Sequence, residues 1–316
     1  MSAKRGATDL SGILVVDKPQ GMTSHDVVNR VRRITGERRV GHAGTLDPLA
    51  TGVLVVLVGP ATRLAPYLSS AEKTYDARID FGTETDTDDA DGRVTMTAPV
   101  PDEVCDPFAA AGFVASLVGI HEQVPPAYSA IKRGGQTAYK AARGGEELEL
   151  EARTVEVAAA RLTGVEIEPP TWSIEFAVSK GTYIRALARD LGRALDTAAH
   201  LGALRRTRSG ALAIDAARTL EELESVALAA SVDDASVGIE SLFVDPLTAL
   251  GLPVLDATLE QLAATKDGRP LSAILNDGEP DAPFAVADGG RLVAIYRAGD
   301  PARPLVVIPG GVSGVA

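Results

Sequence analysis

Gly41-His42-Ala43-Gly44-Thr45-Leu46-Asp47-Pro48-Leu49-Ala50-Thr51-Gly52 runs directly into Val53-Leu54-Val55-Val56-Leu57-Val58. The six apolar residues read as a buried strand. Ahead of it, glycines on either side of the acid let the backbone turn tightly and approach a ligand closely. Pro48 biases Asp47 toward an extended conformation, so its carboxylate stands at a fixed place on a loop rather than on a helix. Two readings of Asp47 stay open on spacing alone. Asp-Pro is a common turn opener, and a single carboxylate held rigidly before a core strand is also a setting for chemistry.

Working outward from this loop, Ile13 to Val16 reads as a first strand, closed by Asp17-Lys18-Pro19. Thr23 and Asp26 have the spacing of a capping box, with Asp in place of the usual Glu or Gln, and Val27, Val28, Val31 and Ile34 form an apolar helical stripe ending at Gly36. Tyr75, Ala77, Ile79 and Phe81 alternate with polar residues, the period of a half-buried strand with Tyr75 on its inner face. On the residues alone Tyr75 is a core position. Trp172, Ile174, Phe176 and Val178 alternate in the same way. They lead through a Ser-Lys-Gly turn into a helix with Ile184, Leu187, Ala188, Leu191 and Leu195 on one face. Tyr183 and Arg185 therefore stand at a strand-to-helix junction, where side chains reach a cleft from a rigid base; Arg185 pairing with a surface acid is the alternative.

The acidic run 83–92 invites a calcium-loop reading that fails on spacing, because Thr87 and Ala98 fall where that loop needs an acid and a bidentate Glu. A strand-connecting turn is the better account. Residues 243–251 read as a linker, and from 252 onward short strands at 284–287, 292–296 and 305–308 alternate with turn residues, the pattern of a small β module.

Composition bounds the function. The chain has 316 residues, 45% hydrophobic and 23% charged, with a net charge of −12. These are values of a soluble globular protein with room for one large or two ordinary domains. Apolar runs are too short to span a bilayer, and MSAKRGATDLSG carries no signal-like apolar core. The lone Cys105 reads as a packed small hydrophobe rather than a nucleophile. A cytoplasmic protein without a membrane partner is expected. The acidic total argues against nucleic acid, but distribution outweighs the sum. Arg30, Arg32, Arg33, Arg38 and Arg39 cluster, as do Arg205, Arg206 and Arg208, and Lys132 with Arg133. Each cluster is either a solvated face or a phosphate contact. No Walker loop, dinucleotide fingerprint or Cys/His cluster is present, so no cofactor and no metal are expected.

KPQGMTS at 18–24, the stretch at 41–52, KTY at 73–75, the run 82–92, 124–132, GTYIR at 181–185 and 200–206 occur together, in this order, over roughly residues 11–210. In this the chain resembles the TruB family of tRNA pseudouridine synthases. The resemblance implies an α+β fold: a mixed, mostly antiparallel sheet flanked by helices, with a small C-terminal β, PUA-like domain. It implies a catalytic domain at 1–250, with an RNA-gripping insertion at about 124–150, and an RNA-binding domain at 251–316. On its residues that insertion is also readable as a surface hairpin.

The activity implied is isomerisation of uridine to pseudouridine at position 55 in the T-loop of tRNA. The N1–C1′ bond breaks, the base turns, and C5 joins C1′. A retaining glycosidase needs two carboxylates because it must protonate a leaving group and later activate water. Here the leaving base is recaptured and one acid suffices. By the resemblance that acid is Asp47, acting as a nucleophile at C1′, as a stabiliser of charge there, or as a base toward the sugar. Tyr75 is implied to stack on a base taken out of its stack, Tyr183 to line the pocket beside it, and Arg185 to pair with Asp47. His42 would contact the RNA near that base, Leu204 would be an apolar pocket wall, and Lys18 would support the central loop. The tRNA T-arm is the expected partner of a monomer, without guide RNA. A tRNA-binding folding helper and a guide-RNA-dependent synthase with partner proteins are the competing readings.

Overall fold

The computed structural model describes residues 8–129, 132–133, 136–137, 150–232, 238–272 and 281–315. Two compact units divide it, one drawing on Met1–Pro48, Gly52–Ala71 and Arg208–Ala316, the other on Leu49–Thr51 and Glu72–Thr207. Most of the insertion expected at about 124–150 lies outside the described residues.

The first unit begins with β1 (Gly12–Lys18), almost wholly buried, as its run of branched apolar residues demands. Helix α1 (Ser24–Thr35) follows, with the capping box at Thr23 and Asp26 and a left-handed Gly36 at its end. Val27, Val28 and Val31 are buried as expected, but Thr35 rather than Ile34 completes the buried face. Then come β2 (Val40–His42) and β3 (Thr51–Val58), both antiparallel to their neighbours: β1 pairs β3 with Lys18 opposite Gly52, and β2 pairs β3 with His42 opposite Val56.

In the second unit β4 (Lys73–Phe81) shows the expected alternation, with Tyr75, Ala77, Ile79 and Phe81 inward. The acidic run is the expected strand-connecting turn, the tip of a hairpin between β5 (Thr83–Thr85) and β6 (Val94–Thr97). Gly92 is needed at that tip, because a Cβ there would stand 2.3 Å from the Thr87 hydroxyl. After β7 (Gly119–Gln123), the two-residue strands β8 (Lys132–Arg133) and β9 (Gln136–Thr137) pair with each other. Strand β10 (Arg153–Ile167) then lies antiparallel between β7 and β11 (Pro170–Val178), and β11 lies antiparallel to β4. Trp172 is fully buried, donating its indole N–H to the Val104 carbonyl at 2.7 Å. Helix α2 (Ile184–Ala194) buries Arg185 and Arg189 along with its apolar stripe. Strand β12 (Ala199–Ser209) neighbours β4 and brings the chain back to the first unit.

There β13 (Leu212–Ala213) pairs the end of β12, and α3 (Leu220–Val232) follows. The stretch 243–251, expected as a linker, is instead a buried tie. Helix α4 (Pro246–Leu250) is capped by Asp245, Phe243 and Ala249 are buried, and the Val244 N–H donates to the Ile13 carbonyl at 2.9 Å. The last sheet runs in the order β14 (Val254–Asp256), β15 (Pro283–Asp288), β16 (Arg291–Arg297), β17 (Arg303–Val312), its first pair parallel and the others antiparallel. Its two faces differ. Phe284, Val286, Ala294 and Tyr296 form a core of their own. Ala285, Leu292, Ile295, Ile308 and Val312 join Ile13, Val15, Val53, Val55 and Leu57 in the main core of this unit.

Candidate active site

The Asp47 loop is held from both sides. Before the acid, the buried Ser24 hydroxyl accepts from the Leu46 N–H at 2.8 Å and donates to the Leu46 carbonyl at 3.0 Å. After it, the Pro48 carbonyl accepts from the Gly21 N–H at 2.8 Å and from the Lys18 ammonium at 3.4 Å. Lys18 is fully buried and also donates to the Pro19 and Met22 carbonyls, at 2.9 and 2.7 Å. An ammonium has three N–H groups to give, and here three carbonyls take them. Gly44 supplies a φ of 103° that an L side chain would resist. Asp47, half-buried, thus sits between two peptides fixed by buried polar groups. His42 is half-buried on β2, at the root of the same loop.

The other expected residues lie in the second unit. Tyr75 is 8% exposed on β4, opposite Phe176. Leu204, 9% exposed, is on the neighbouring β12. Tyr183 is the N-cap residue of α2, and its peptide is bracketed by the buried Gln123 amide, which accepts from the Tyr183 N–H at 2.9 Å and donates to its carbonyl at 3.1 Å. The Arg153 guanidinium stands 5.5 Å from the centre of the Tyr183 ring, a cation–π distance. Arg185 is 4% exposed and donates to the Thr87 carbonyl at 2.8 Å and the Tyr128 carbonyl at 3.0 Å, with Asp89 3.6 Å from its Nε. Asp89, an acid beside Arg185, is buried and comes from the hairpin.

Two groups were missed by sequence reasoning. Ser24 and Gln123 do the same work, each using one donor and one acceptor on backbone, Ser24 on Leu46 beside Asp47 and Gln123 on Tyr183 itself. Nothing local marks them. The arginines at 185, 189 and 193, one per helical turn, are a readable signal that α2 faces acids. One expectation is corrected. Arg206, grouped with Arg205 and Arg208 as a basic surface, is 1% exposed. On a strand it shares the face of Leu204, so only Arg205, half-buried, and Arg208, exposed, are left of that surface.

Burial shapes the electrostatics of the second unit. It pushes the Lys73 ammonium down to about 8, with Arg206 and Lys180 adding to the fall. It pushes the Asp88 carboxyl up, against the pull of Arg189 and Arg185. Among the described residues no group of three or more His, Cys, Asp or Glu is placed to hold a metal ion, and no helix is long and apolar enough to cross a membrane.

Residues 32–184 match the model of the TruB family pseudouridylate synthase N-terminal domain, and residues 185–266 that of the tRNA pseudouridylate synthase B C-terminal domain. The chain belongs to the TruB family of pseudouridine synthases. A tRNA pseudouridine synthase B of Thermobifida fusca is 51% identical over 218 residues, 67% of this chain and 74% of the relative. The protein of the same name from Paenarthrobacter aurescens is 45% identical over 279 residues, 86% of this chain and 85% of the relative. Among solved structures, a Cbf5-Nop10-Gar1 complex matches with a TM-score of 0.74 at 26% identity, over 94% of this chain and 84% of the other. The fold is the pseudouridine synthase fold, with its mostly antiparallel sheet and C-terminal β portion. The TruB-family chain is accordingly an isomerase that makes pseudouridine.

Proposed function

We propose that this chain converts uridine to pseudouridine at position 55 in the T-loop of tRNA, with Asp47 as the essential carboxylate. The observation that carries the assignment is the double pinning of the Asp47 loop: the peptides on both sides of the acid are held by buried polar groups. A carboxylate fixed in this way loses little freedom when it meets C1′, the condition under which position lowers a barrier most. Tyr75, Tyr183 and Leu204 receive the displaced base, His42 contacts the RNA beside it, and Arg185 supplies a permanent positive charge. Lys18 acts through the loop backbone. The base leaves C1′ with the bonding pair on N1, C5 takes up C1′ and then gives its proton to water as N1 gains one, so atoms and charge balance without redox chemistry.

The tRNA substrate is supported by the relatives: those named tRNA pseudouridine synthase B are 45–51% identical to this chain over the matched residues, the chain of the Cbf5-Nop10-Gar1 complex 26%; the absence of a guide RNA is part of the same proposal. A monomer working in the cytoplasm is part of the proposal, as are a catalytic domain at 1–250, its insertion at about 124–150 and a PUA-like RNA-binding domain at 251–316. The test is site-resolved pseudouridine mapping on an unmodified tRNA transcript with wild type and Asp47→Asn, no cofactor added. One new pseudouridine at position 55 with wild type alone is expected. Product with Asp47→Asn would overturn the role of the acid. Tight binding without product by wild type would favour the folding-helper reading.

A further inference from the structure

Helix α2 and the β5–β6 hairpin are joined by a ladder of charges. Arg193 makes two 2.8 Å bonds to the carboxylate of Glu84. One turn earlier, Arg189 donates to Asp88 at 2.9 Å, to the Val124 carbonyl at 2.9 Å and to Asp190 at 2.9 Å. One turn earlier again, Arg185 reaches Thr87 and Tyr128. Arg185 and Arg189 are therefore parallel rungs between the same two pieces of chain, the hairpin tip on one side and residues 123–128 on the other. Gln123, through the Tyr183 peptide, ties the near end of that segment to the start of the helix.

The outer rung has costs that an incidental contact would not carry. Asp88 and Arg189 are each 8% exposed, and burying two charges takes both out of water. Asp88 also adopts a φ of 59°, the left-handed region that non-glycine residues avoid. Its backbone is fixed there by the sheet: the Leu201 N–H donates to the Asp88 carbonyl at 3.0 Å, and the Ala90 N–H to the Leu201 carbonyl at 2.9 Å. The carboxylate thus projects from a rigid strand contact and offers Arg189 one anchored acceptor, while the rest of the guanidinium fork reaches Val124.

We propose that the Asp88–Arg189 pair is a positioning device for the uridine-handling end of α2, fixing the Arg185 guanidinium and the Tyr183 peptide by tying residues 123–128 to the hairpin. This rests on the reading above that Arg185 and Tyr183 serve the uridine. Neither Asp88 nor Arg189 touches substrate; each acts through Arg185 and the segment.

The test compares wild type with Asp88→Asn, Arg189→Gln and Arg189→Lys. Asn keeps the left-handed backbone tolerable, and Lys keeps a charge against Asp88 while giving up the planar fork. Single-turnover pseudouridine formation on a tRNA transcript, the Kd for that tRNA, and hydrogen exchange at Ala127, Tyr128 and Ser129 are read together. The expected result is a rate 10- to 100-fold lower, as for a reacting group displaced by about 1 Å, with faster exchange at those amides. The Kd should stay within about threefold, so that the loss is in the reacting complex. The double variant Asp88→Asn/Arg189→Gln should be no slower than the slower single, because the two residues make one interaction. Rates within about twofold of wild type with unchanged exchange, or a Kd that weakens in step with the rate, would overturn the proposal. Arg189→Lys decides the matter if the other variants do not fold. If wild type forms no pseudouridine in any tRNA, the functional reading falls by itself, and the exchange data alone decide whether the pair holds the segment.

Discussion

The loop around Asp47 and the start of α2 each fix a charged group, by opposite means. On the loop the grip is on neutral backbone: Ser24 holds the Leu46 peptide, while Lys18 and Gly21 hold the Pro48 carbonyl. At α2 the grip is on charge: Arg185 stands against Asp89, Arg189 against Asp88 and Arg193 against Glu84. A backbone grip holds a side chain by its main chain and is indifferent to salt. A charge grip is strong only where water is excluded, and it transmits the loss of one partner to the next. The first suits an acid that must meet a sugar carbon, the second a cation whose charge must be held in place.

The comparison breaks most visibly at the acid itself. Asp47→Asn keeps the shape of the loop and every bond on its backbone, so stability and tRNA binding should stay near wild type. The rate of pseudouridine formation should fall on the order of 10⁴-fold or more, as when an essential reacting group is removed. Single-turnover mapping reads the rate and a thermal melt reads the fold. A variant that melts early would show that the loop is held by its acid and not by its flanking peptides.

Lys18→Met tests the backbone grip. It removes a buried charged donor from three carbonyls and should cost about 1.5 to 3 kcal/mol of stability, the worth of hydrogen bonds to a charged group. Ser24→Ala orphans only the Leu46 peptide and should cost about 1 to 3 kcal/mol. Urea unfolding measures both. If the two grips are alike in kind, both losses should be unaffected by raising salt.

Lys73 sharpens the other side of the comparison, because the charges of Arg206 and Lys180 add to the cost of burying it instead of offsetting it. Its proton is lost at about 8 in the folded chain and at the ordinary 10.5 in the unfolded one. Below pH 8 both states are charged and the folded state bears the whole cost of burial. From pH 8 to 10.5 the unfolded state binds more protons, so stability rises with pH, and above that range the cost is gone. The whole effect is about 3 kcal/mol at most, since each tenfold change in proton affinity is worth about 1.4 kcal/mol. Wild type should therefore gain on Lys73→Met by about 2 to 3 kcal/mol between pH 8 and 10.5 in parallel urea titrations. A constant gap would mean the ammonium is not desolvated.

These same contrasts explain what was readable in the sequence. The strands with Val53–Val58, Tyr75–Phe81 and Trp172–Val178, and the capped helix after Thr23, are set by local period and local caps, and all are where the pattern puts them. Lys18 and Ser24 reach partners 30 and 22 residues away, within one motif-bearing stretch. The α2 ladder spans separations of 101 and 109 residues, and its acids look like a solvated turn until the hairpin folds them inward. Residues 243–251 misled for the same reason. Asp-Pro and Gly are linker residues by composition, but Phe243 is buried by a glycine it packs on: a Cβ at Gly12 would fall 2.1 Å from its ring. Long-range burial leaves no local trace, so composition was read in its place.

The smallest effect separates a buried arginine from an exposed one. Arg206 and Arg208 are two residues apart on β12, and charge counting treats them as equals. The structure does not: Arg206 is buried and Arg208 is exposed. A phosphate contact releases counterions, so removing one lowers the log–log salt slope of RNA binding by roughly 0.7 to 0.9. Arg208→Gln should show that change with an unaltered melting temperature. Arg206→Gln should show the reverse, a lower melting temperature and an unchanged slope, because a guanidinium hidden from solvent has no counterion to release. Equal slopes for both variants, lower than wild type, would mean that Arg206 turns outward when RNA binds, and that burial in the free chain does not decide which cations meet phosphate.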